Sequence, residues 1–251
     1  MHSSAVLRGA VSVLGLLVLW EWLGRNLFVA AVLPAPSVVL EAALQRAGSG
    51  LLVRDVVMSL SRLLIGFAAG SLLGTILGLL LGSIAWLRRS LEPVVQFFRF
   101  IPPIAWLTPV LIWFGIGEMG KYVLITYTTT FMVLLNTLAG LATPQRNRIR
   151  AAQCFGARAG RVFLHVRLPM TLPYILAGMR IGMGNSFQTL IVAEMLAANE
   201  GVGFLIMNSR TQLATEGVFV GLVAVAILGL ACDAVFRVMT RRLAWRFQLG
   251  W

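Results

Sequence analysis

Six long apolar runs, separated by short breaks that carry arginine, constrain this chain more than any other feature. They cover residues 6–23, 57–86, 94–116, 122–141, 172–196 and 218–239. Each run is long enough to cross about 30 Å of hydrocarbon as an α-helix. The third run is interrupted by Pro102, Pro103 and Pro109. The sequence therefore predicts an all-α integral membrane protein with about six transmembrane helices.

Composition supports a membrane chain and argues against two other classes. Of the 251 residues, 59% are hydrophobic and only 12% are charged. Soluble domains average about 45–50% apolar and about 25% charged residues. A soluble globular enzyme is therefore close to excluded, and a disordered chain is excluded because it would be far less hydrophobic. We expect one transmembrane domain over residues 1–251.

The net charge of +12 indicates lipid rather than nucleic acid as the partner. Proteins that bind nucleic acid cluster their basic residues on a polar scaffold. Here the arginines lie mostly in the short breaks between apolar runs. Cytoplasmic loops that face anionic lipid account for this pattern. We therefore expect contact with membrane lipid and no nucleic acid partner.

The distribution of basic residues also predicts an orientation. With a cytoplasmic N-terminus, fourteen Arg and Lys residues fall on the cytoplasmic side and six on the outer side. The positive-inside rule then puts both termini in the cytoplasm. Residues 24–56 become a periplasmic connection, in which a proline turn precedes a short helix capped by Ser37. The first run lacks a clear cleavage site, so we interpret it as a retained span.

Residue types that carry catalysis or bind metals form no recognisable pattern. His2 and His165 lack the spacing of metal ligands, and two cysteines give no disulfide framework. No glycine-rich phosphate loop and no nucleophile–base arrangement can be assigned. We expect no catalytic site, no metal site and no cofactor in this chain. Uphill transport would need a partner or an ion gradient.

Five glycines in the second run are spaced by four residues, so they form one ridge of a helix. They are Gly66, Gly70, Gly74, Gly78 and Gly82. Without side chains on this ridge, another helix can approach closely, as in small-xxx-small packing. The alternative is chance enrichment, because membrane helices tolerate glycine. The common register of all five favours a close helix contact.

The fifth run carries a polar face inside a predicted span. Arg180, Gln188 and Glu194 fall within an arc of about 120° on a helix. Charges inside a membrane are costly and usually face a bundle interior or a watery path. We therefore predict that these three residues line a translocation pathway. The alternative is that Arg180 and Glu194 extend to the two membrane surfaces.

The break between the fourth and fifth runs, residues 142–171, is the most basic stretch of the chain. Its pattern predicts a short helix from Arg148 to a stop at Gly156, then a second amphipathic helix and Pro169 before the fifth run. The small side chains of Ala151 and Ala152 suit a helix that lies in a groove of another protein. The alternative is a solvated loop that only obeys the positive-inside rule.

This break resembles the EAA loop of permeases from importers of the ATP-binding-cassette (ABC) class. The loop pattern is Glu-Ala-Ala, three residues, Gly, nine residues, Ile, any residue, Leu and Pro. The chain matches it at Ala151, Ala152, Gly156, Leu168 and Pro169, with Val166 in place of Ile and Arg150 in place of Glu. Further segments resemble the taurine, alkanesulfonate and nitrate branch of that family, namely residues 33–36, 99–106, 113–118, 193–195 and 201–204.

The resemblance implies a type I importer in the bacterial inner membrane. Its parts would be two copies of this permease, two cytoplasmic ATPase subunits that bind ATP and Mg²⁺, and a periplasmic or lipid-anchored binding protein. The EAA-type loop would couple to the ATPase through Arg148, Arg150, Ala151, Ala152 and Gly156. The cargo would be a small organic anion, with taurine or another sulfonate favoured and nitrate as an alternative. Two other classes stay open, a secondary transporter driven by an ion gradient and a membrane-embedded enzyme.

Overall fold

The computed structural model describes residues 2–29, 31–143 and 146–246, and it describes side chains for residues 11–29, 31–143 and 147–240. Every regular element in these residues is helical, as the sequence predicts. The α-helices are α1 (His2–Asn26), α2 (Pro36–Gly48), α3 (Leu51–Ser83), α4 (Ala85–Arg99), α5 (Leu107–Phe114), α6 (Glu118–Ala142), α7 (Arg146–Cys154), α8 (Ala159–Val162), α9 (Leu168–Ala197), α10 (Val202–Thr211) and α11 (Thr215–Arg246). A 3₁₀ turn (Pro103–Trp106) precedes α5, and a π turn (Phe163–Arg167) precedes α9.

Four helical segments of the described chain are long and apolar enough to cross a membrane. They are Leu51–Ser83, Glu118–Ala142, Ala159–Ala197 and Thr215–Thr240. These segments contain most or all of the predicted second, fourth, fifth and sixth runs. The first predicted run lies in α1, and the side chains of its first residues lie outside the described part. That span therefore stays a prediction.

The third predicted run is not a continuous span. α4 and the segment Pro103–Phe114 are bent by 87° relative to each other. Pro102 and Pro103 lie at this break, where proline lacks the N–H that would continue the helical hydrogen bonds. Among the described residues, the spans therefore number four, or five when the bent pair counts as one, and the predicted span in α1 would be additional to these.

Backbone contacts group the chain into two compact units. Unit 1 comprises Met1–Ser59 and Glu194–Leu228, and unit 2 comprises Leu60–Ala193 and Gly229–Trp251. In unit 1, Val39 of α2, Leu205 of α10 and Val220 of α11 form a buried apolar cluster. Trp20 of α1 packs against that cluster, and its ring lies 5.6 Å from that of Phe219.

The start of α2 differs from the predicted cap. Ser37 lies inside the helix, and Ala35 is the N-cap without a side-chain hydrogen bond. Glu21 of α1 instead accepts hydrogen bonds from the Ser37 backbone N–H (3.0 Å) and hydroxyl (2.8 Å). A carboxylate from another helix therefore does the work of a local cap, which is electrostatically favourable at a helix N-terminus.

In unit 2, the glycine ridge of α3 lies directly against α6. A Cβ atom added at Gly70 would lie 2.5 Å from the Thr129 Cβ and 2.7 Å from the Thr126 carbonyl oxygen. The Thr126 hydroxyl donates a 3.2 Å hydrogen bond to the Gly66 carbonyl oxygen, and Thr130 makes the equivalent contact with Gly70. Equivalent clashes at the other ridge glycines confirm the predicted close contact.

An adjacent face of α6 packs against α9, and Thr129 contacts both neighbouring helices. The hydroxyl oxygens of Thr129 and Ser186 are 2.6 Å apart, and both side chains are fully buried. A Cβ atom added at Gly178 of α9 would lie 2.8 Å from the Asn136 Cβ. α6 thus contacts both α3 and α9 in unit 2. Its contact with α3 is a close backbone approach, and its contact with α9 adds hydroxyl pairs.

We expect Gly74→Leu to destabilise the protein. An added Cβ at Gly74 lies 2.6 Å from the Thr130 carbonyl oxygen, so backbone atoms would have to move. Overpacking of this kind costs typically about 1–3 kcal/mol. Thermal unfolding of the purified protein in detergent should show a lower midpoint and a lower yield. Gly15→Leu in α1, where an added Cβ has no neighbour within 4 Å, is the matched control. Equal midpoints for both variants would contradict the contact.

Candidate functional site

The predicted EAA-type loop forms the expected helix and glycine stop. α7 ends in a Schellman motif, in which the Ala157 N–H donates to the Ala152 carbonyl oxygen and the Gly156 N–H donates to that of Gln153. Gly156 has φ +76°, a left-handed conformation that favours glycine. The turn therefore fixes how α7 projects from the rest of the loop.

The loop presents an open surface in the described chain. Arg148, Arg150, Ala151 and Gly156 are exposed, and Ala152 is half-buried. The sequence analysis did not single out Phe155, although its side chain is 92% exposed. A large aromatic residue in an otherwise basic loop was the sequence signal that could have identified Phe155. An exposed ring beside small alanines is typical of a surface that packs into a partner's pocket.

α9 has one buried face and one open face within unit 2. The buried face includes Ser186 and Leu190, both fully buried, and Ser186 contacts Thr129 of α6. The open face, which we call the α9 stripe, spans an arc of about 120°. Its exposed residues are Arg180, Ile181, Gly184, Gln188 and Val192. Two of the three predicted pathway residues therefore lie on this stripe.

Arg180 is paired with a residue that the sequence analysis did not identify. Its Nε donates a 3.0 Å hydrogen bond to Oδ1 of Asp233 on α11. Arg237, one turn further along α11, places its Nε 3.2 Å from Oδ2 of the same carboxylate. Asp233 is 53 positions from Arg180, and its place in a long apolar run gave no indication of this partner.

Glu194, the third predicted pathway residue, is fully buried in unit 1. The Ser59 hydroxyl lies 2.7 and 2.8 Å from its two carboxylate oxygens, and the backbone N–H of Gly203 donates to Oε2 at 3.0 Å. A Cβ atom added at Gly201, which has φ +118°, would lie 2.5 Å from Oε1. This geometry favours a structural role for Glu194, while its place on a pathway stays a prediction.

The same network caps α10. Its first N–H groups have no partner inside the helix, and side chains from α3 supply acceptors. The Gly201 N–H donates to Asp55 Oδ1 at 2.8 Å, and the Val202 N–H donates to the Ser59 hydroxyl at 2.9 Å. Glu194 therefore completes a polar contact that fixes the entry of the chain into α10.

A second charge cluster, with two buried basic residues and a partly exposed carboxylate, lies in unit 2. Arg62 of α3 is 1% exposed, and its Nη2 donates a 2.8 Å hydrogen bond to Glu118 Oε1 at the start of α6. The buried Lys121 ammonium also donates to Oε1, at 2.8 Å. Arg62 and Lys121 are two of the six basic residues that the predicted orientation places on the outer side. Among the described residues, no group of three His, Cys, Asp or Glu side chains could hold a metal ion.

Comparison with known proteins gives three relevant matches. Residues 70–245 match the family described as "Binding-protein-dependent transport system inner membrane component". The chain is 37% identical to the taurine transport system permease protein TauC of Escherichia coli over 94% of its length and 87% of that protein. It is 36% identical to the putative aliphatic sulfonates transport permease protein SsuC of the same organism, over 90% and 87%.

A solved structure has the same fold. It is an inward-facing conformation of the MetNI methionine ABC transporter, matched with a TM-score of 0.60 and 22% sequence identity. The match covers 75% of this chain and 95% of that chain. The described helices are thus arranged as in a type I importer permease.

We expect Glu194→Ala to lower the free energy of unfolding. The variant leaves the Ser59 hydroxyl and the Gly203 N–H without this buried acceptor, which costs about 1–3 kcal/mol. Glu200→Ala is the control, because Glu200 pairs with the exposed Arg54, and exposed ion pairs contribute about 0–1 kcal/mol. Thermal unfolding in detergent compares the two variants. An unchanged midpoint for Glu194→Ala together with lost transport would favour the pathway role instead.

Proposed function

Because this chain belongs to the family of inner membrane components of binding-protein-dependent transport systems, we propose that it moves a small organic anion into the bacterial cytoplasm. It is an ABC importer permease of the inner membrane. A sulfonate is the favoured cargo, because two relatives that it resembles over most of its length are named for taurine and aliphatic sulfonates. Nitrate and other small solutes are the alternatives.

The assembly contains two copies of this permease, two cytoplasmic ATPase subunits and an extracytoplasmic binding protein. ATP and Mg²⁺ bind to the ATPase subunits, so the permease itself catalyses no reaction. Both termini and residues 142–171 lie in the cytoplasm, in keeping with the excess of arginine on that side. Residues 24–56 lie on the periplasmic side, where the binding protein delivers cargo.

The exposed α7 segment is the observation that carries this proposal. α7 docks in a groove of the ATPase, where Ala151 and Ala152 allow close approach and the Phe155 ring fills a pocket. Arg148 and Arg150 flank this contact with positive charge. Arg150 replaces the usual Glu of the loop, so the contact depends on helix shape and Phe155 rather than on a carboxylate at position 150.

The translocation pathway runs along the α9 stripe, between the two copies of the permease. Arg180 and Gln188 are polar and exposed within one copy, and acyl chains would not solvate a charged side chain at this depth. Glu194 contributes by fixing the chain at the end of α9, next to that stripe. ATP binding and hydrolysis then alternate the access of the stripe between the two sides of the membrane.

Transport by the reconstituted complex tests the proposal. Permease, ATPase and binding protein are placed in liposomes with ATP inside, and uptake of radiolabelled taurine and ethanesulfonate is measured. We expect uptake only when all three proteins and ATP are present. Uptake of these sulfonates by the permease alone, driven by a proton or sodium gradient, would instead identify a secondary transporter.

Two glycine variants test the coupling role of α7 in the same assay. Gly156→Trp strains a left-handed turn and should reduce uptake and stimulated ATPase activity by about tenfold or more, equivalent to about 1.4 kcal/mol. Gly160→Trp is the matched control, because an added Cβ there also has no neighbour within 4 Å and its backbone is not left-handed. Full stimulation of the Gly156→Trp complex by loaded binding protein would contradict the assignment.

A further inference from the structure

Two arginines share one carboxylate on the open side of unit 2. Arg180 contacts both oxygens of Asp233, with Nε–Oδ1 at 3.0 Å and Nη2–Oδ2 at 3.5 Å. Arg237 approaches Oδ2 from the same helix as Asp233, at 3.2 Å. We call these three residues the Arg-Asp-Arg cluster. Guanidinium groups are always charged in proteins. Two arginines and one carboxylate therefore give the cluster a net charge of about +1.

The cluster also has spare hydrogen-bond donors. A guanidinium carries five N–H donors in a fixed fork, and oxyanions match that geometry. Asp233 contacts Nε and Nη2 of Arg180 and only Nε of Arg237. Within the described side chains, Nη1 of Arg180 and both Nη nitrogens of Arg237 have no acceptor. A second anion with several oxygens can therefore bind beside Asp233 without displacing it.

The cluster is open to the surroundings of the protomer. The side chains of Arg180, Asp233 and Arg237 are 53%, 36% and 47% exposed. Arg180 lies eight residues, about 12 Å, inside the predicted fifth run, so lipid tails would be a costly neighbour for its charge. One turn away, an added Cβ at Gly184 has no neighbour within 4 Å. The helix surface one turn from Arg180 is therefore open.

We propose that the Arg-Asp-Arg cluster binds the oxyanion group of the cargo, a sulfonate, during its passage along the α9 stripe. Arg180 and Arg237 donate hydrogen bonds to its oxygens. Asp233 holds both arginines in place when no cargo is present and weakens the net attraction for an anion. A pathway site must bind strongly enough to admit an ion and weakly enough to release it, and one surplus charge meets both needs. This inference rests on the proposed function in one respect, that the stripe faces the pathway.

Charged thiol reagents measure the local potential without any transport. Gly184→Cys is introduced in a background in which Cys154 and Cys232 are replaced by serine, and the complex is placed in nanodiscs of zwitterionic lipid. The measured quantity is the rate ratio of an anionic sulfonatoethyl to a cationic trimethylammonioethyl methanethiosulfonate. Val192→Cys is the matched control, since it is on the same stripe but about 12 Å further from the cluster than position 184. At 0.15 M ionic strength, that distance exceeds the Debye length of about 8 Å.

We expect the ratio to be higher at position 184 than at position 192. Arg180→Gln and Arg237→Gln should each lower the ratio at position 184 by about fivefold, and Asp233→Asn should raise it by a similar factor, because one unit charge is changed at short range. Excess ethanesulfonate should slow labelling at position 184, whereas neutral ethanesulfonamide of similar shape should not. Normal elution of each variant complex on size exclusion excludes misfolding as the cause.

Three results would overturn the proposal. They are equal ratios at positions 184 and 192, ratios at position 184 that neither arginine variant changes, and protection by added anionic lipid but not by ethanesulfonate. The last result would identify a lipid headgroup as the occupant. None of these measurements uses transport. If the wild-type complex takes up sulfonate but labelling at position 184 shows no charge selectivity, only the proposed binding site is contradicted. If labelling at position 184 is charge-selective but the complex takes up no sulfonate, only the proposed transport function is contradicted.

Discussion

The approach of α3 to α6 at the glycine ridge is the contact on which the rest of unit 2 depends. Five glycines bring the two backbones so close that a single methyl group at Gly70 or Gly74 would meet main-chain atoms. Between apolar helices in a membrane, packing and interhelical hydrogen bonds replace the hydrophobic effect as the source of association. With α3 and α9 packed on adjacent faces of α6, the face of α9 that points away from α6 is open, and this face carries Arg180 and Gln188.

Charged side chains in this fold form ion pairs or hydrogen bonds with groups on other helices. Arg62 and Lys121 meet Glu118, Arg180 and Arg237 meet Asp233, and Glu194 meets Ser59 and the first turn of α10. The side chains of the three clusters differ in how much of their surface is exposed, and this difference indicates different roles. Glu194 and Arg62 are buried and fix helices, whereas the Arg-Asp-Arg cluster is partly exposed, as the proposed contact with cargo requires.

The features that the sequence predicted correctly are periodic or local. The glycine spacing of four gave the α3 contact, and the spacing from Ala151 to Gly156 gave α7 with its glycine stop. Features that join distant positions could not be read in this way. Nothing near Arg180 indicates Asp233, and nothing near Ser37 indicates that Glu21 would accept its N–H. Hydropathy also gives no direction, so the bend of 87° after α4 became visible only in three dimensions.

Water access at position 188 most directly tests the proposal that the α9 stripe lines a water-filled, alternating-access pathway. In a background without the native cysteines, the complex carries either Gln188→Cys or Thr189→Cys. Thr189 is the control, because its hydroxyl lies 3.2 Å from that of Thr128 on α6. The labelling rate with a small water-soluble thiol reagent is compared without nucleotide and with ATP trapped. We predict that Gln188→Cys reacts in at least one state, that its labelling rate changes between states, and that Thr189→Cys reacts more slowly. Equal protection of both cysteines in every state would contradict it.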